Sequence, residues 1–91
     1  PATAFKVTAG KPATYTRSNI ETPVTRSFCA TCGTSLWSES PNLPGAFLLK
    51  AGTLDNPADF GSPQMAIYMC DAQPFHANPG GIPVFDKAPG Q

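Results

Sequence analysis

Two cysteines separated by two residues and followed at once by glycine are the part of this sequence best suited to chemistry: Cys29-Ala30-Thr31-Cys32-Gly33. In a tight turn, this spacing directs both sulfurs toward one point. A tetrahedral zinc ion with zinc–sulfur bonds of about 2.3 Å needs its sulfurs roughly 3.8 Å apart, which such a turn provides. Gly33 permits a positive φ, so that backbone amides can point at the sulfurs and favour thiolate over thiol. One pair supplies half of a four-ligand structural site. The same spacing also suits two reduced surface thiols, a Cys29–Cys32 disulfide in a metal-free β domain, or a thioredoxin-like redox pair. The redox pair requires the cysteines to open a helix within a βαβ unit. Here the strand-like Leu36-Trp37 follows Gly33 instead.

Two more ligands would complete a zinc site, and Cys70 and His76 are the remaining soft candidates in the sequence. With Cys29 and Cys32 they would form a Cys₃His set, which zinc accepts. However, a lone cysteine after Ile67-Tyr68-Met69 has the character of a packing residue, and His76 in a Pro-rich loop reads as a surface imidazole. A second route is a homodimer, because a two-fold axis presents each Cys29/Cys32 pair twice around one ion. With three cysteines, an odd number, internal disulfides cannot use them all.

The elements that must position this pair read as short strands. Phe5-Lys6-Val7 alternates apolar and polar residues before a Gly10-Lys11-Pro12 turn. Ala13 to Thr16 predicts a strand with Tyr15 pointing inward, and Thr22 to Phe28 predicts one running into the cysteine turn. Ser35 to Ser38 returns from it, so the cysteines occupy a hairpin tip. Ala46 to Leu49 is too short for a helix between its glycine neighbours and predicts a central strand. Asn56 to Phe60 suits one helical turn, capped by Asn56 with Pro57 in the first position. Met65 to Met69 predicts another short strand, and the Pro- and Gly-rich segment after Asp71 excludes long regular structure.

Composition supports a mostly β fold of short antiparallel strands and long Pro/Gly-rich loops, in a single domain over residues 1–91. Eleven Pro and eight Gly disfavour long helices. A chain of 91 residues buries only about 60–65% of its unfolded surface, so a metal staple would matter more than in a larger protein. A formal net charge of zero offers no electrostatic basis for nucleic acid as a partner. No apolar run approaches the roughly 20 residues of a membrane span, and no leader pattern precedes the first strand-like segment; a cytoplasmic location is expected.

The ordered set Phe5-x-Val7-x-x-Gly10, Tyr15, Arg26-Ser27-Phe28-Cys29-Ala30-Thr31-Cys32-Gly33-Thr34-x-Leu36-Trp37 resembles the glutathione-dependent formaldehyde-activating enzyme family. Gly52-Thr53-Leu54-Asp55 with Pro57 and Phe60 extends the resemblance. So do Ala72 to His76 and Gly81 to Phe85 in the tail. The resemblance implies a small, β-tent-like zinc domain with carbon–sulfur lyase chemistry on a glutathione adduct or another thiol-derived small molecule. It implies a structural zinc held by an early C-x-C pair together with a later C-x-x-C, here Cys29 and Cys32. It also implies a catalytic zinc on an N-terminal C-x-C-x-x-C group. No cysteine, histidine or acidic pair lies between Pro1 and Phe28, so neither early group has a counterpart and no catalytic residue is assigned. The start without Met suggests the C-terminal portion of a longer protein, and the 91 residues alone are expected to be inactive. If they are not a catalytic fragment, the alternative is a metal-stapled interaction module, with two copies sharing one zinc.

Overall fold

The computed structural model describes residues 1–89. The chain divides into two compact units, Pro1–Pro57 and the remainder from Ala58. The fold is mostly β, as composition predicts. Helical structure among the described residues is confined to 3₁₀ turns at Ala2–Ala4, Ala51–Thr53, Pro57–Phe60 and Met69–Asp71. Of these, Pro57–Phe60 realises the short helical turn expected there, with proline in its first position. No described helix is long and apolar enough to cross a membrane.

The first unit is a four-stranded antiparallel sheet in sequence order. Its strands are β1 (Ala13–Thr16), β2 (Thr25–Phe28), β3 (Ser35–Glu39) and β4 (Leu48–Leu49). The expected strand at Thr22–Phe28 begins only at Thr25. Pro23, with no N–H to offer a ladder, stands outside it. Ala46–Leu49 contributes only Leu48 and Leu49, and β4 forms an edge of the sheet, not the centre. β2 and β3 are the central pair.

Directly opposed residues in antiparallel strands share a face. The register pairs Ser27 with Trp37 and Trp37 with Leu49, which defines one face. The pairs Tyr15–Arg26, Arg26–Ser38 and Ser38–Leu48 define the other. Between Ser27 and Phe28 the register slips: Ser27 opposes Trp37 but Phe28 opposes Ser35. Leu36 is therefore an extra residue on β3, a β-bulge of the kind that bends a strand and strengthens its twist. Its carbonyl accepts the Lys50 N–H at 3.0 Å, which ties the bulge to the segment leaving β4.

Packing in this unit centres on three aromatic rings. Phe5 lies 5.0 Å from Trp37 and 4.7 Å from Phe47, edge-on to the latter, and Trp37 stacks on Phe47 at 5.9 Å with an interplanar angle of 17°. These separations fall within the favourable range for aromatic pairs. Phe5 is not in a strand, contrary to the reading of Phe5–Val7. It leaves the Ala2–Ala4 turn with extended dihedrals (φ −116°, ψ 138°), while the Ala2 N–H donates to the Gly45 carbonyl at 2.8 Å. The N-terminal segment therefore contributes an aromatic ring without extending the ladder. Tyr15, expected to point inward, is 57% exposed. The only fully buried residues are Ser27 and Ser38, and no apolar side chain reaches that level among the described residues.

In the second unit the strand expected at Met65–Met69 reduces to a single parallel bridge, Ala66 to Val84. Tyr68 adopts a left-handed conformation (φ 55°, ψ 40°) that ends any extended run, and Met69–Asp71 turns directly after it. Amides from this run still find partners: Met69 N–H donates to the Phe85 carbonyl at 3.0 Å and Cys70 N–H to the Asp86 carbonyl at 3.2 Å. The proline-rich tail satisfies them from a loop.

The aromatic trio yields a first prediction. Trp37→Ala is expected to cost about 2–3 kcal/mol in a urea titration, below the cost of a fully buried Trp because the ring is only half-buried. Tyr15→Ala, on the exposed face, should change stability by less than about 0.5 kcal/mol. Equal losses for the two variants would refute the packing described.

Candidate metal centre

The cysteine turn sits where the sequence places it, as the tip of the β2–β3 hairpin. β2 ends at Phe28 and β3 begins at Ser35, so six residues, Cys29 to Thr34, form the connection. Two backbone hydrogen bonds close it. The Gly33 N–H donates to the Cys29 carbonyl at 2.8 Å, and the Cys29 N–H donates to the Thr34 carbonyl at 2.9 Å. Gly33 has φ +80°, a conformation that costs a residue with a Cβ roughly 1–2 kcal/mol. The sequence expectation of a positive φ at this glycine holds, and it lets the chain reverse directly behind Cys32.

Hydrogen-bond donors converge on both sulfurs. The Cys32 and Thr31 backbone amides, with smaller contributions from the side chains of the same two residues, favour the ionised form of the Cys29 sulfur. Cys32 Sγ lies 3.0 Å from the Thr34 hydroxyl. These donors lower the Cys29 thiol from an ordinary 9.0 to about 7. The Cys32 amide contributes most, followed by the Thr31 amide, while burial opposes them weakly. Amide and hydroxyl donors stabilise negative charge on sulfur without supplying a countercharge. All three cysteines are free thiols: Cys29 is half-buried, and Cys32 and Cys70 are exposed.

The donor chemistry fits half of a thiolate-bound metal site. The two thiols belong to one six-residue turn, and the surrounding N–H and O–H groups favour the ionised form that zinc requires at Cys29. The other half is not supplied by a local cluster. Among the described residues no three His, Cys, Asp or Glu side chains are grouped to hold a metal ion. Cys70 and His76 belong to the second unit. There His76 Nδ1 accepts the Gln73 N–H at 2.8 Å, and its ring tilts against Phe75 at 4.8 Å. That contact occupies one ring nitrogen within a local turn, as expected of a loop imidazole. An open cleft of about 280 Å³ is found at the opposite end of the β2–β3 hairpin, where Thr25 pairs with Glu39; Ser40, Leu43 and Phe47 also line it. It is therefore separate from the thiol chemistry.

The contributions of Thr31 and Thr34 were not anticipated from the sequence. The signal was present, however: a hydroxyl residue directly precedes Cys32 and another directly follows Gly33. Phe28 and Trp37, which flank the turn, are both half-buried, with Trp37 engaged by Phe5 and Phe47.

A small antiparallel sheet whose central hairpin carries two cysteines at its tip defines a β class of cysteine-knuckle protein. The chain belongs to the glutathione-dependent formaldehyde-activating enzyme family, which matches it over residues 1–71. That match takes in the entire sheet and the knuckle, and ends before the tail segments Ala72 to His76 and Gly81 to Phe85. No curated protein and no solved structure matches the chain.

The lowered Cys29 thiol makes a direct prediction for the metal-free protein. Because the value is depressed, the thiolate is present above about pH 7 and is lost as the pH falls through it. Residue-resolved iodoacetamide labelling of Cys29 should therefore reach half its plateau rate near pH 7. A half-point near pH 9 would show that the converging donors do not act on this sulfur.

Proposed function

We propose that Cys29 and Cys32 are two of the four ligands of a structural zinc ion in a cytoplasmic protein of carbon–sulfur lyase type, acting on a glutathione adduct or a related thiol-derived small molecule. The observation carrying this reading is the knuckle itself. Its two sulfurs lie at one hairpin tip and are supplied with amide and hydroxyl donors, while family membership provides the chemical setting. Zinc bound there would fasten the ends of the two central strands and hold the knuckle's conformation. Its role is structural, and none of the residues named here is assigned to the chemical step.

The remaining two ligands come from outside this knuckle, since no third metal-binding side chain joins it among the described residues. That favours, as a second reading, an interaction module in which two copies each contribute Cys29 and Cys32 to one ion on a two-fold axis.

Zinc stoichiometry measured alongside oligomeric mass separates the two. The sharing arrangement predicts half a zinc per chain and a dimer that dissociates on chelation. One zinc per monomer would support ligands supplied by another segment and exclude sharing. Cys29→Ser or Cys32→Ser should abolish stoichiometric binding in either case. Retention of zinc by the double variant would remove the knuckle from the metal site.

A further inference from the structure

The two knuckle sulfurs are held by different kinds of donor. The negative charge on Cys29 is favoured largely by backbone amides, those of Cys32 and Thr31, which side-chain substitution does not remove. Cys32, the more exposed of the two, has the hydroxyl of Thr34 within 3.0 Å of its sulfur. Thr34 is itself fixed in place, because its carbonyl accepts the Cys29 N–H at 2.9 Å. The same residue thus closes the turn through its backbone and reaches the second sulfur through its side chain.

We infer that Thr34 is a positioning residue for metal binding: its hydroxyl donates a hydrogen bond to the Cys32 thiolate, setting that sulfur's direction and the strength of its bond to the ion. The inference rests on the zinc reading above and assigns a residue to it. A thiolate carries its charge in diffuse lone pairs, and a donor on one of them fixes the orientation of the others. It also lowers the energy of the sulfur electrons available to the metal. When Cys32 is protonated, either atom of the pair can donate. Once a metal has displaced the thiol proton, only the Thr34 O–H can, so metal binding and this hydrogen bond reinforce each other. The backbone bond of Thr34 does not depend on its side chain, so substitutions there separate hydroxyl chemistry from turn formation.

The test compares Thr34→Val, which removes the hydroxyl at nearly constant volume, with Thr34→Ser, which retains it. Each is made in the full 91-residue chain. Zn²⁺ affinity is measured by competition with a chromophoric chelator, and Co²⁺ is substituted to observe the thiolate-to-metal charge-transfer band. Thr34→Val should weaken zinc binding on the order of 10-fold, the lower end of what a lost outer-shell partner costs. It should also shift the charge-transfer band to longer wavelength, because the sulfur electrons lie higher without the donor. Thr34→Ser should restore both readouts toward those of the unmodified chain. Equal weakening in Val and Ser variants, or a Val variant with unchanged affinity and band position, would overturn the assignment. If the unmodified chain binds no zinc, the zinc reading itself fails and takes this inference with it; normal binding with an inert Thr34 refutes the inference alone.

Discussion

The pair of backbone hydrogen bonds that closes the cysteine turn is the constraint on which the rest of the first unit depends. Gly33 N–H to the Cys29 carbonyl and Cys29 N–H to the Thr34 carbonyl determine where β2 stops and β3 starts. Because these are the central strands, the positions of β1 and β4 follow from theirs by pairing. The same two bonds aim the turn's remaining amides at sulfur. A left-handed residue is needed at Gly33 to close the circuit, and glycine is the residue that occupies this conformation at least cost. Sheet register and sulfur geometry therefore share one local cause.

Energetically, that local closure acts in a unit with little hydrophobic reserve. No apolar side chain among the described residues is fully buried, and Tyr15, Leu48 and Leu49 are exposed. The Phe5–Trp37–Phe47 trio supplies the principal ring packing, and it lies on one face of the sheet. Folding a small chain requires apolar burial to offset a backbone entropy loss of about 1–2 kcal/mol per ordered residue. Where burial is limited, small proteins rely on cross-links or bound metals. The cysteine pair at the tip of the central hairpin is a suitable place for such a tether, since it would reinforce the turn closure that sets the pairing of the two strands.

Much of this organisation was legible in the residues. The Cys29-to-Gly33 spacing located the hairpin tip, and the alternating segments on either side identified β1, β2 and β3 with small errors at their ends. Pro57 marked the helical turn that begins there. Short apolar segments were harder to read. Phe5-Lys6-Val7 has the alternation of a strand, but three residues cannot reveal whether a neighbouring strand is available, and here Phe5 packs as an isolated ring. Met65 to Met69 has strand-like composition but is interrupted by the left-handed Tyr68, a backbone choice that its side chain does not announce. The hydroxyls of Thr31 and Thr34 illustrate a third case. Their types were visible, but their approach to sulfur depends on the turn's three-dimensional course. The tail resemblance, from Ala72 onward, lies beyond the part of the chain that the family matches.

The extra residue at Leu36 has a consequence for handedness of presentation. In an uninterrupted strand, Ser35 and Trp37 would project from the same side, since side chains repeat every second residue. With Phe28 opposite Ser35 and Ser27 opposite Trp37, they project from opposite sides. The spacing between Cys32 and Trp37 therefore acts as a phase selector: one residue more or fewer there would turn Trp37 toward the other face of the sheet, away from Phe5 and Phe47.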